Sequence, residues 1–265
     1  MEKNPLPRHI FRWEAVYMKR FLTKYGFFIS IILILAILAL NTAAVLRGMG
    51  LASFSGGALR DLHVILDAGH GGEDGGAVSL TGTPEKTINL AVTLKTEQTL
   101  ALLGVPCTLT REGDEIDYPP SAQTTRARKT ADTKARAELI NRLPNAVLVS
   151  IHQNKFAASP GAYGAQVFFA PTEGSEGLAG HVSRALESAA GRVRPCCEAD
   201  KNIYLMNHVA CPAALVECGF LSNEAECRLL ETEVYQTKLA AAIAAGLLNA
   251  AGELTAQYCG GEHET

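Results

Sequence analysis

Aromatic residues make up only 6% of this 265-residue chain, with a single tryptophan, so a core must rest on Val, Ile, Leu and Ala. Neither sign of charge dominates. The 24 Lys and Arg residues face 27 Asp and Glu, a formal net charge of −3. That balance argues against a nucleic-acid binder, which carries a basic excess or patch. Glycine and proline form no repeat, and 48% hydrophobic content excludes intrinsic disorder. No CxxC pair occurs, so a zinc ribbon is unsupported. HExxH and GxSxG are missing too, which disfavours standard zincins and α/β-hydrolases. Only one run is long and apolar enough to span a bilayer, so a channel or transporter is excluded.

That run is Phe27 to Leu46, which carries no charge. Its length suits a bilayer core of about 30 Å. Lys3, Arg8, Arg12, Lys19, Arg20 and Lys24 precede it against only Glu2 and Glu14, so the N-terminus is expected in the cytoplasm and the remainder outside. Residues 1–26 then form a basic cytoplasmic segment. Residues 27–46 are a membrane anchor or a cleaved signal. The long basic lead-in favours an anchor; the weakening of apolarity after Leu40 favours a signal. Residues 47–60 are Gly- and Ser-rich and read as a linker. Residues 61–252 have the size of one domain, and 253–265 read as a polar tail.

The seven cysteines are odd in number, and no disulfide framework is read from them. Cys107 and Cys218 fall in strand-like runs and are expected to act as small core hydrophobes.

Within 61–252, apolar runs alternate with helical stripes. Strands are expected at His63–Asp67, Val105–Thr110, Ala146–Ile151, Ala165–Ala170 and Ala213–Val216, with a short one at Ile203–Met206. Helices are expected over Glu85–Leu103, from Pro119-Pro120-Ser121 to about Leu143, and over Glu173–Ala190, Ser222–Leu230 and Glu233–Ala251. Ser222 is the expected cap of its helix. The continuously apolar strands point to an α/β fold with a mostly parallel central sheet flanked by helices, preceded by one N-terminal hydrophobic helix.

In such sheets, sites form beyond the carboxyl ends of strands. The first strand runs into His70, the third into His152, and the AALV strand into Glu217. A parallel arrangement brings all three to one edge. Two histidines suit zinc, and a catalytic zinc takes a third protein ligand. Glu85, just behind Pro84 at a helix start, is the candidate. Each has a plainer reading: Glu85 as a first-turn carboxylate complementing the helix dipole, His70 as a loop residue, His152 as a satisfied strand-end histidine.

The segments LDAGHGGEDGGAV, PEKTINL, SIHQN and ALVECGFLSNEAE together resemble the zinc-dependent N-acetylmuramoyl-L-alanine amidases of the Amidase_3 family, over roughly residues 62–252. TTRARKTADTKARAELIN, GAQVFFA and NIYLMNHVACPAALVECGFLSN further resemble the family members of sporulation and germination. The resemblance implies that His70, Glu85 and His152 bind zinc and that Glu217 is the catalytic glutamate. It implies hydrolysis of the bond between N-acetylmuramic acid and L-alanine in peptidoglycan, in the spore cortex ahead of muramic δ-lactam formation. An accessory activator protein is a possible partner. Ala68 departs from a common proline, and Lys155 from a common alanine. His208 is expected near the site.

Asp74 either orients the His70 loop or makes a turn hydrogen bond. Asn154 is a candidate substrate contact or a turn closer. Arg126, Arg128, Lys129, Lys134 and Arg136 read as a solvated basic helix face, since Asp132 and Glu138 interrupt it. Two other functions compete with the amidase: a zinc peptidase acting within the stem peptide, and a non-catalytic wall-binding scaffold.

Overall fold

The computed structural model describes residues 24–25, 59 and 61–259. The basic segment 1–26, the apolar run 27–46 and the linker 47–60 thus lie almost wholly outside the described residues.

Among the described residues six strands form one sheet: β1 (His63–Ala68), β2 (Cys107–Leu109), β3 (Ala146–Asn154), β4 (Gln166–Phe169), β5 (Cys197–Glu198) and β6 (Ala213–Phe220). Their order is β2-β1-β3-β6-β4-β5. The strands β2, β1, β3 and β6 are mutually parallel, as the apolar runs predicted. β4 pairs antiparallel with β6, and β5 follows β4. The reason lies in the chain between Asn154 and Gln166, which contains no helix. A parallel return needs a crossover of helix length, so this loop sends the chain straight back down the sheet.

Helices cover both faces: α1 (Glu85–Leu102), α2 (Thr125–Asn141), α3 (Ser175–Ala190), α4 (Tyr204–His208), α5 (Glu224–Leu230) and α6 (Glu233–Cys259). Alternate strand residues face opposite layers. Val64, Leu66, Val147, Val149 and Val216 pack with Ile88, Val182, Ile243 and Leu247 of α1, α3 and α6. Ile65, Leu148 and Leu215 pack with Ile140 of α2 and with Leu205 and Met206 of α4. Burying side chains of this kind contributes about 1.5–3 kcal/mol each.

Several boundaries differ from the sequence expectation. Ile203–Met206 is not a strand: Tyr204–His208 is a helical turn whose Leu205 and Met206 plug the second layer. The second helix begins not at the prolines but at Thr125, because Thr124 Oγ1 accepts from the Ala127 amide. Asn223, not Ser222, caps α5, with Oδ1 accepting from Ala225 and Glu226. Ser222 Oγ instead accepts from the Phe156 amide. α6 continues past Ala251 to Cys259, since Leu254 remains in the core and Tyr258 donates to the Ala146 carbonyl. By length and composition α6 is apolar enough to cross a membrane, but it packs in the core, and 56% of its apolar window is buried. Cys107, Cys196, Cys197, Cys211, Cys218 and Cys227 are free thiols.

Candidate active site

Parallel pairing of β1, β3 and β6 places their carboxyl ends side by side. Ala68 is opposite Ile151, and His152 is opposite Glu217. The apolar strand β1 ends in a sharp turn at Gly69 and His70. His70 adopts φ 63, a left-handed conformation that non-glycine residues rarely take. Gly71 and Asp74 exchange two backbone hydrogen bonds, which folds the GGED stretch back on itself. Asp74 Oδ2 then lies 2.8 Å from His70 Nδ1, and Asp74 Oδ1 accepts from the Gly76 amide. Both readings of Asp74, loop orienter and turn former, therefore hold.

With Nδ1 engaged, His70 turns Nε2 toward Glu85 Oε2, 3.3 Å away. Glu85 opens α1 behind the extended Pro84 and is 4% exposed. Its other oxygen, Oε1, lies 3.2 Å from His152 Nδ1. Three donors fix this carboxylate: the Gln153 amide and Asn89 Nδ2 on Oε1, and the Ala77 amide on Oε2. The two histidine rings meet edge to face, their centroids 5.0 Å apart. One ligand atom from each of His70, Glu85 and His152 lies within 4.8 Å of the others.

Space for this group is kept by absent side chains. A Cβ on Gly69 would lie 2.2 Å from the His152 ring. A Cβ on Gly76 would lie 2.6 Å from Glu85 Oε2 and 2.9 Å from His70 Nε2, at a φ of +66. G76A is expected to fold but to bind zinc about tenfold or more weakly in competition with a chelator, the scale of a second-layer perturbation. Unchanged affinity would mean that the glycine is needed for the turn alone.

The electrostatics are those of a cation site. Burial would raise the Glu85 carboxyl, but hydrogen bonds and charge from His152 and His70 hold it far below the usual carboxylate range. Burial would lower His70, yet Asp74 and Glu85 push it up to about 9. Asp74 is likewise held well down, against its burial, by His70 and Lys129. Glu217 behaves oppositely: burial pushes it up to about 7. Its Oε2 is buried and takes no hydrogen bond.

These shifts set how metal-free protein responds to pH. The His70 contribution to stability is complete below its ordinary 6.5 and lost as pH rises through about 9. Glu217 acts in the same direction between 4.5 and about 7. The depressed carboxylates contribute above their ordinary values and are lost toward acid. Chelated protein should therefore have its highest urea midpoint at about pH 4.5 to 5, falling steadily from there toward about pH 9. A midpoint that rises over the alkaline range would contradict this electrostatic picture.

A cavity of about 310 Å³ adjoins the group, walled by His70, His152, Glu217, Lys129, Arg136 and Tyr204. Asn154 ends β3, where its carbonyl accepts from the Leu221 amide, and it does not line this cavity. His208 does not line this cavity: it stacks behind the lining residue Tyr204, with ring centroids 3.7 Å apart, and its Nδ1 bonds the Tyr204 carbonyl. Lys155 Nζ donates to the Val78 carbonyl at the surface.

The basic face of α2 is only partly solvated. Arg136 is buried against Asp67 and Asp132, and Lys129 lies 3.0 Å from Asp74. Sequence reasoning missed Asp67, Arg111 and Arg136 as parts of the site. One signal was available: Asp67 ends the apolar run HVILD, and a charge there needs a buried partner. Burial would raise Asp67, but Arg136, Ser150 and Thr110 hold it at about 2.

The family model described as N-acetylmuramoyl-L-alanine amidase, Amidase_3, matches residues 64–249. The chain is 32% identical over 185 residues to the germination-specific N-acetylmuramoyl-L-alanine amidase of Bacillus subtilis, covering 70% of this chain and 78% of that protein. It is 26% identical over 231 residues to the N-acetylmuramoyl-L-alanine amidase AmiA of Escherichia coli, covering 70% and 75%. Among solved structures, the CwlD amidase of Clostridioides difficile, in complex with the GerS lipoprotein, matches with a TM-score of 0.68 at 39% identity. That match covers 72% of this chain and 99% of that one.

Proposed function

This chain belongs to the Amidase_3 family of N-acetylmuramoyl-L-alanine amidases, and we propose that it is a zinc enzyme that frees stem peptides from the glycan of spore cortex peptidoglycan. The bond cleaved joins the lactyl carbonyl of N-acetylmuramic acid to the nitrogen of L-alanine. His70, Glu85 and His152 would hold the zinc. Two imidazoles and a carboxylate are its usual donors, and the catalytic form keeps a further position open. Held there, zinc supplies Lewis acidity toward an amide carbonyl and toward water.

The chain's own residues do the rest. Asp74 accepts the Nδ1 proton of His70, which leaves Nε2 as the ligand atom. The donors around Glu85 keep its carboxylate from rotating. The single observation that carries the reading is Glu217 Oε2, a buried carboxylate oxygen without a partner beside a His-Glu-His group. Such an oxygen is suited to take the proton of the attacking water and then deliver it to the leaving amine nitrogen. Burial raises this carboxyl in metal-free protein, the direction that favours a group able to hold a proton as well as release it. Water adds across one amide bond, giving a lactyl carboxylate and a peptide with a free L-alanine amine. Asn154, at the same strand end, is proposed to contact the substrate.

The setting follows from the relatives. One is named for germination, and CwlD is seen with a lipoprotein. We therefore propose action outside the cytoplasm, tethered through residues 27–46, with an accessory lipoprotein as partner. Peptidoglycan incubated with the zinc-loaded protein tests the reaction by mass spectrometry. Free peptides beginning with L-alanine, with peptide-free muramic acid, are expected. Internal stem-peptide fragments alone would make it a peptidase. A folded, zinc-loaded protein that releases nothing even with its lipoprotein would make it a scaffold. Spores lacking the protein should lack muramic δ-lactam; normal δ-lactam would remove the cortex role.

A further inference from the structure

The turn that carries His70 is held by two buried cations. Arg136, on α2, is 6% exposed. Its Nη1 donates to the Ala68 carbonyl at 2.7 Å and to Asp67 Oδ1 at 2.9 Å. Its Nη2 donates to the His70 carbonyl at 2.7 Å and pairs with Asp132 Oδ2 at 2.8 Å. Nε completes the fork with Asp132 Oδ1 at 3.1 Å. From the other side, Arg111 donates through Nε to the Ala68 carbonyl and through Nη2 to those of Gly69 and Lys86. Each carbonyl of Ala68, Gly69 and His70 thus accepts from a guanidinium.

Burying a cation is costly unless its donors are all used, and Arg136 uses its own on and around a turn that bears a left-handed, non-glycine residue, His70. Asp67 extends the network, taking Ser150 Oγ from β3 and Thr110 Oγ1 from the end of β2. Ser150 lies two residues before His152, so one network joins the strands that carry both histidines.

We propose that Arg136 is a positioning residue of the metal centre, fixing the His70 turn so that Nδ1 meets Asp74 and Nε2 meets Glu85. The role rests on the zinc reading above. A lysine can replace it only in part, because one ammonium does not span Asp132 and both carbonyls in the plane of a guanidinium. Arg111 reaches Lys86 and Gly113 as well, so its part is shared with the start of α1.

The test compares the wild-type protein with R136M, R136K and I140A. Two readouts are used: zinc affinity by chelator competition, and the absorption spectrum of the cobalt(II) form. R136M should bind zinc about ten- to a hundredfold more weakly, with an altered cobalt spectrum. R136K should recover part of the affinity, and it carries the test if R136M does not fold. I140A loosens the same helix at the fully buried Ile140 without touching the turn, and should keep both readouts. An R136M protein with wild-type affinity and spectrum overturns the positioning role. So does an I140A protein that loses as much, since the effect is then general destabilisation. Wild-type protein that takes up no metal overturns the zinc reading itself, a distinguishable failure.

Discussion

E217Q should fold, bind zinc as the wild type does, and release stem peptide about 10²–10⁴-fold more slowly, the usual worth of a positioned general base. The substitution keeps size and shape but removes the ability to take a proton. Glu217 makes no hydrogen bond through Oε2, so the substitution breaks none there. The same isolation predicts a second effect of opposite sign. Burial raises Glu217 to about 7 against an ordinary 4.5, so keeping it ionised in metal-free protein works against folding. Metal-free E217Q should therefore be more stable than wild type by about 1–3 kcal/mol at about pH 8. The gain should vanish below about pH 4.5, where both side chains are neutral. Urea titration after chelation measures it. An E217Q enzyme with near wild-type turnover would end the assignment of Glu217 as the base.

H152A should lose zinc altogether under mild chelator competition and show no hydrolysis above background. A catalytic zinc has three protein ligands, and removing one leaves a site too weak to hold the metal. The fold should survive, because the imidazole lies in the cleft while the core-facing residues of β3 are Val147, Leu148, Val149 and Ile151. Glu85 should also stay in place in H152A. The Gln153 amide, Asn89 and the Ala77 amide still hold its carboxylate, so the variant does not leave that charge without partners. Metal analysis beside circular dichroism separates the two effects. Full zinc occupancy in folded H152A would remove this residue from the ligand set.

The parallel half of the sheet was legible because β1, β3 and β6 are buried on both faces and read as continuous apolar runs. Their shared direction brought His70, His152 and Glu217 to one edge, as the strand ends implied. Glu85 was legible only through spacing and resemblance, since a first-turn carboxylate has an equally good local reason to exist. The capping residues were less legible. Thr124 and Asn223 stand next to other plausible caps, and the choice depends on how the preceding loop packs. The helix at Tyr204–His208 was misread as a strand because a short apolar run has no period to reveal its type. Arg136 was hidden for a different reason. It shares a stripe with exposed cations, and only the tertiary position of Asp67 and the His70 turn makes its environment different from theirs.

Anomalous diffraction at the zinc edge, from crystals of the wild-type protein grown with zinc, tests the metal centre most directly. A single strong peak is expected between His70 Nε2, His152 Nδ1 and the Glu85 carboxylate, with each ligand atom about 2.0–2.2 Å from it. Glu217 should lie close by without joining the ligand set. A peak elsewhere, or none between these three residues, would contradict the account.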